Sequence, residues 1–171
     1  RNVGALGVQT GMKVADFGSG SGAYVLAIAE RLEGTGHVYA VDVQKDLLRR
    51  VSNEATRRGF KNVDVIWADL EVPRASKLAD GLLDLVLISN LLFQVPDKEA
   101  LFSEARRILK ATGKLARIDW ADSFKGAGPI KEDVVTKDSA LTLAKKAGFE
   151  LVKEFSAGAH HYGLILRPTA S

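Results

Sequence analysis

The sequence predicts an α/β domain, a mostly parallel sheet with helices on both faces and an antiparallel hairpin at its carboxyl end. Three observations predict it. Short β-branched apolar runs alternate with longer segments of helical period. The first such run leads without a break into a glycine-rich turn and then a helix. The last two strand-like runs are separated only by Ser156, Ala157, Gly158 and Ala159, too short a link for a crossover, so they must pair antiparallel.

Lys13–Phe17 reads as the first strand. Over residues 22–33, Val25, Ile28, Ala29 and Leu32 fall at i, i+3, i+4 and i+7, the buried stripe of a helix that Gly34 and Gly36 stop. His37–Asp42 is the second strand, and residues 45–58 form a second helix with Leu47, Leu48, Val51 and Ala55 inward and Gly59 at its end. Val63–Trp67 is the third strand. After a connection containing Pro73, residues 82–89 are apolar almost throughout, as a central strand buried on both faces must be. Pro96-Asp97 opens a helix with Leu101, Ala105 and Ile108 inward, and residues 115–120 follow as the fifth strand. Residues 121–135 contain Gly126, Gly128 and Pro129 and show no period; so long a connection in a compact domain is usually functional. A helix over 137–147 and strands over 149–155 and 160–167 complete the chain.

A chain of 171 residues is one domain's worth, so residues 1–171 are expected to form a single domain. The absence of cysteine removes disulfides, thiolate nucleophiles and thiolate metal sites, and with only His37, His160 and His161 no metal site is expected. A net charge of +3 builds no field large enough for nucleic acid. Arg50, Arg57 and Lys61 share a face of the second helix, but Asp46 and Glu54 stand four residues either side of Arg50, so this reads as a solvated face. No apolar run approaches 18 residues, and Arg1-Asn2-Val3-Gly4 does not begin a signal sequence; a cytoplasmic protein without a membrane span is expected. The initial Arg fits a chain trimmed at its amino end.

The sharpest signal is Asp16-Phe17-Gly18-Ser19-Gly20-Ser21-Gly22. Glycines at alternate positions let the backbone turn tightly and let a ligand press against main chain at the carboxyl end of the first strand. Two cofactor classes fit. Gly18, Gly20 and Ala23 satisfy the dinucleotide spacing, with Asp42 where a ribose-binding acid belongs; alternatively, Asp42 caps the following helix. Asp16, two residues before the first glycine, favours S-adenosylmethionine, because a carboxylate attracts that cofactor's cationic end and repels a pyrophosphate. Asp42 can accept from both ribose hydroxyls, Asp69 can accept from the adenine amine, and Asn90 follows the fourth strand beside the place where the methyl would project.

These residues, with Ile88-Ser89-Asn90-Leu91-Leu92-Phe93-Gln94-Val95-Pro96-Asp97, Ala105-Arg106-Arg107-Ile108-Leu109-Lys110 and Gly113-Lys114-Leu115, make the chain resemble the class I S-adenosylmethionine-dependent methyltransferases from about Gly11 to Arg167. Within that superfamily it resembles the quinone-biosynthesis C-methyltransferase type and its small-molecule relatives. The resemblance implies a Rossmann-like three-layer sandwich with a seven-stranded sheet of order 3-2-1-4-5-7-6. It also implies that Asp16, Gly18, Ser19, Gly20 and Gly22 line the methionine portion, that Asp42 takes the ribose, and that Val43 and Leu70 flank the adenine whose amine Asp69 binds. In two places the chain departs from the family. Ala111-Thr112-Gly113 replaces the usual Pro-Gly-Gly, and only twelve residues precede Lys13 where relatives carry helices over the active site, so an amino-terminal lid is expected to be missing or cut away.

The expected activity is methyl transfer to a small organic acceptor. RNA or protein acceptors in an open site, a nicotinamide-dependent oxidoreductase and a catalytically silent cofactor-binding module are the alternatives. The Asn-Pro-Pro-aromatic motif of amino-directed DNA methyltransferases is absent at Asn90-Leu91-Leu92-Phe93. On the acceptor side, His160, His161 and Asn90 are the candidate catalytic residues, with the histidines at the hairpin as candidate bases, although side-chain alternation lets at most one histidine face a pocket. Tyr162, Asp119 and Asp122 are placed on the same side.

Overall fold

The computed structural model describes residues 2–89, 97–120, 137–157 and 161–169. A short helix α1 (Asn2–Ala5) precedes β1 (Lys13–Phe17), α2 (Ala23–Leu32), β2 (His37–Asp42), α3 (Lys45–Arg57), β3 (Val63–Trp67) and β4 (Leu83–Ser89). Then come α4 (Lys98–Ile108), β5 (Leu109–Trp120), α5 (Lys137–Lys146), β6 (Phe149–Ser156) and β7 (His161–Pro168). The seven strands form one sheet of order β3-β2-β1-β4-β5-β7-β6. β7 runs antiparallel to both of its neighbours and the other pairs are parallel. The expected order and terminal hairpin are therefore both present.

The two faces of the sheet are covered by different helices because β4 and its neighbours are apolar on both sides. On one face Val25, Ile28 and Leu32 of α2 and Leu48 and Val51 of α3 pack on Val14, Val38, Leu85 and Leu87. On the other, Leu101, Phe102 and Ile108 of α4 and Ala140 and Ala144 of α5 pack on Phe17, Val86, Ile88 and Leu115. Each buried Leu, Ile or Phe contributes roughly 1.5–3 kcal/mol. The expected stripe of α2 is buried entire. In α3 the buried residues are Leu48, Val51 and Ala55, and Leu47 instead lines a cleft described below.

Three further features differ from the sequence reading. Leu6 and Val8, after α1, are buried against the α2 side, and Arg31 Nε donates to the Val8 carbonyl at 3.1 Å, so the amino end is part of the core. β5 starts at Leu109, directly after α4, and not at residue 115. Leu83 pairs with Leu109 whereas Leu85 pairs with Lys114, so β5 bulges between these pairs, and Gly113 is needed there because a Cβ would lie 3.1 Å from the Leu83 carbonyl oxygen. Finally, Asp46 pairs with Arg49, and Glu54 with Arg57 and Arg58, rather than with Arg50. These partners are i+3 and i+4 neighbours within the helix, so the face is still internally neutralised.

Candidate functional site

In the order β3-β2-β1-β4-β5, β1 connects towards β2 and β4 towards β5, so a crevice opens between the carboxyl ends of β1 and β4. A cleft of about 450 Å³ occupies that place. Gly18, Ser19, Gly20, Asp42, Val43 and Ser89 are among its walls. The glycine loop makes one side. Gly18, Gly20 and Gly22 have φ of 74°, 54° and 84°, left-handed values that an L side chain adopts at a cost. Gly22 is required twice over, since a Cβ there would come within 2.5 Å of Val51 Cγ2 and push α3 away from the loop. A Cβ at Gly20 would meet nothing nearer than 4.0 Å, so the space beside its backbone is open to a ligand.

Asp42 ties the two sides together. One carboxylate oxygen accepts from Gly20 N at 2.9 Å and the other from Gln44 N at 3.0 Å, so one side chain fixes both the glycine loop and the β2–α3 turn. The helix-cap role considered for Asp42 is not what it performs. The residue capping α3 is Gln44, whose side chain makes no capping bond, and Asp42 reaches only that residue's backbone. Each carboxylate oxygen keeps a further lone pair for a hydroxyl donor.

Asp16 lies at the end of β1, 1% exposed, and neither of its oxygens has a hydrogen-bond partner among the described residues. Burial, with the like charge of Asp42 adding to it, pushes its carboxyl up to about 8. The Ser19 hydroxyl, also buried in the loop, likewise has no partner among the described residues. Buried polar groups without partners are rare in folded proteins and mark a place where a ligand completes the bonding. A cationic ligand satisfies Asp16, a ribose diol satisfies Asp42, and Val43, 54% exposed at the rim, offers apolar contact to an adenine. S-adenosylmethionine carries all three groups, so the residues present fit it. A pyrophosphate would instead place negative charge beside two carboxyls.

Of the residues singled out from the sequence, Gly18, Ser19, Gly20, Asp42 and Val43 converge on the cleft, with Gly22 and Asp16 behind the loop. Asp69 lies exposed beyond β3, with one oxygen accepting from Glu71 N at 3.0 Å, and Leu70 is buried in the α4-side core; neither is among the cleft's walls. Asn90, His160, Asp122 and the whole 121–135 connection lie outside the described residues. His161 opens β7 opposite Trp120, and Asp119 pairs with Tyr162. Tyr162 is largely buried, its hydroxyl 3.5 Å from Arg117 Nη2. Sequence reasoning did not identify Tyr24, Gln44, Leu47 and Ser89 as walls. Ser89 ends the strand across the switch point and Gln44 follows the Asp42 turn, so both were within reach of the topology. Among the described residues no group of His, Asp or Glu could hold a metal, and no helix is long and apolar enough to cross a membrane.

Residues 9–157 match the family described as a methyltransferase domain. The chain is 31% identical over 135 residues to an arsenite methyltransferase of Aquipseudomonas alcaligenes, an alignment covering 77% of this chain and 39% of that protein. To a ubiquinone/menaquinone biosynthesis C-methyltransferase of Cupriavidus taiwanensis it is 28% identical over 119 residues, covering 70% and 47%. The chain thus spans about two fifths to a half of the length of these curated relatives. Its fold matches a crystal structure of a SAM-dependent methyltransferase from Aquifex aeolicus with a TM-score of 0.88 at 24% identity, over 98% of this chain and 88% of that one. With the family match spanning most of the chain, the predicted sheet order observed and a cleft whose buried acids suit this cofactor, the chain belongs to the methyltransferase-domain family of class I S-adenosylmethionine-dependent enzymes.

Proposed function

We propose that this chain transfers a methyl group from S-adenosylmethionine to a small organic acceptor. The observation that carries the reading is the buried carboxyl of Asp16, without a hydrogen-bond partner among the described residues, beside the Asp42 clamp, an arrangement that favours a cationic ribose-bearing ligand over a dinucleotide. The relatives act, by their names, on arsenite and on quinone precursors, which supports a small acceptor over RNA or protein.

When bound, S-adenosylmethionine supplies a methyl already activated on a cationic sulfur. The chain therefore has to bind, orient and exclude water more than it has to activate. Asp42 holds the ribose hydroxyls, Asp16 in its ionised form balances the positive end, and the open backbone at Gly20 lets the ligand approach main chain. Asp69 and Leu70 are proposed to serve the adenine, and Asn90, which follows Ser89 in sequence, the methionine end. His160 and His161 are proposed as the acceptor-side pair, one of them holding the acceptor's proton on an imidazole nitrogen. The cytoplasm is the proposed location, with residues 1–171 acting as one domain.

Calorimetry tests the cofactor class. S-adenosylmethionine and S-adenosylhomocysteine are expected to bind, with NAD and NADP at least about tenfold weaker, a difference of ~1.4 kcal/mol. Tighter binding of either dinucleotide would overturn the proposal in favour of an oxidoreductase.

A further inference from the structure

Trp67 is the last residue of β3 and is 59% exposed, so it contributes little to the core. Its two specific contacts both go to the same short segment. The indole Nε1 donates to the Val43 carbonyl at 2.8 Å, and Lys45 Nζ stands 3.8 Å from the ring centre, a cation–π contact. Beside them the main chain adds Ala68 N to the Asp42 carbonyl at 3.0 Å, with Trp67 in register opposite Asp42. The segment so held is the β2–α3 turn. On its helix side Gln44, the N-cap of α3, donates its backbone N–H to Asp42 but makes no side-chain capping bond, and the indole takes the carbonyl on the other side of the same peptide. An exposed tryptophan whose donor and ring face are both spent on one turn is a latch for that turn.

We infer that Trp67 is a positioning residue for the adenosine end of the cleft, holding from β3 the turn that presents Asp42 and Val43 to the ligand. The inference rests on the proposed function. Asp42 can meet a ribose diol only if its Cα stays in place, and its carboxylate restrains only the N–H side of the Val43–Gln44 peptide, through Gln44 N. The Val43 carbonyl lies in that peptide, so the indole N–H constrains the backbone at the point where the two ligand-facing side chains branch off. Loss of the donor frees the turn to sample other conformations, and binding must then order it again.

The test uses the whole chain with S-adenosylhomocysteine and 5′-methylthioadenosine, which keeps the adenosine and lacks the amino-acid portion. Trp67→Phe keeps a ring beneath Lys45 and removes the donor, whereas Lys45→Met keeps the stem and removes the charge. Trp67→Phe is expected to weaken both ligands by the same factor, about three- to tenfold, and Lys45→Met by about twofold, as the loss of one hydrogen bond or one exposed cation–π contact implies. In the ligand-free variant the Gln44 amide is expected to exchange faster with deuterium while Val14 and Ala15 of β1 do not. Unchanged affinity in Trp67→Phe, a loss confined to S-adenosylhomocysteine, or faster exchange spread across the sheet overturns the inference and leaves the proposed function standing. Wild-type protein with no affinity for either ligand overturns the proposed function itself.

Discussion

Asp16 under the glycine loop and Glu104 on α4 are buried to nearly the same degree, 1% and 4% exposed, on opposite faces of the sheet. Their surroundings differ completely. Glu104 accepts from Ser76 N and Oγ and from Arg107 Nε and Nη2, and Arg107 reaches on to Asp80. Burial alone would raise its carboxyl, but the Arg107 fork and the Ser76 donors outweigh burial and hold it below the usual glutamate value. Asp16 has no donor among the described residues and is pushed up to about 8. One acid is complete in the free protein and staples the connection after β3 to α4. The other finds no donor among the described residues and stands beside a cleft where a ligand can supply one. A satisfied buried charge marks a structural device, and an unsatisfied one beside a cleft marks a site.

Removing Glu104, or Asp42 on the cleft side beside Asp16, separates the two roles. Glu104→Ala leaves Arg107 and Ser76 without their main partner and is expected to cost roughly 3 kcal/mol of stability in chemical denaturation. Its affinity for S-adenosylhomocysteine should match wild type, and a weakened affinity in the folded variant would mean that the staple and the cleft are one unit. Asp42→Ala is expected to do the reverse. Binding weakens by about 1.5–3 kcal/mol, the range for hydrogen bonds to a charged acceptor, while the protein stays folded. A collapse in melting temperature with normal binding by the folded fraction would make Asp42 part of the scaffold instead.

Asp16 and Glu104 give opposite pH dependences. Asp16 has its folded value raised from 3.8 to about 8, so its contribution to stability is full below about pH 4 and is lost as pH rises through about 8. Glu104 has its folded value lowered from 4.5, so its contribution is present above that pH and is lost as pH falls through the depressed value. Melting of the ligand-free protein between pH 5 and 8 is therefore expected to show a decline that Asp16→Asn abolishes and Glu104→Gln leaves in place. A decline that persists in Asp16→Asn would assign it to another group.

The smallest expected effect is on the acceptor side. Replacing His160 and His161 together by alanine should change cofactor affinity by less than about threefold, or ~0.7 kcal/mol. Methyl transfer to an acceptor that turns over with wild type is expected to fall at least tenfold in that double variant. Undiminished turnover would remove the hairpin from the active site.

The donor half was legible in the sequence because its signals are local. Glycine spacing, an acid two residues ahead and an acid closing the next strand are read along a single strand–turn–helix unit, and the sheet order follows from the family they identify. Contacts between distant segments were not legible. Ser76 and Glu104 are 28 residues apart and their pairing joins a loop with no period to a helix whose apolar stripe alone was visible. Trp67 read as an ordinary strand residue, since nothing in the sequence says that its indole reaches a carbonyl 24 residues away. Leu47 was misplaced for a related reason: helical period assigns a residue to the inward stripe, but the neighbouring glycine loop leaves that end of α3 facing a cleft.

We propose that Asp16, its carboxyl raised by burial, is protonated in the free protein and ionises when a cation binds. Calorimetric titration of S-adenosylmethionine between pH 6 and 8, in buffers of different ionisation enthalpy, measures the proton balance of binding directly. Near pH 7 wild-type protein is expected to release close to one proton per cofactor bound, with affinity rising as pH approaches 8, and Asp16→Asn to release none and show no such rise. Binding without proton release in the wild type, at an affinity independent of pH, would contradict the account.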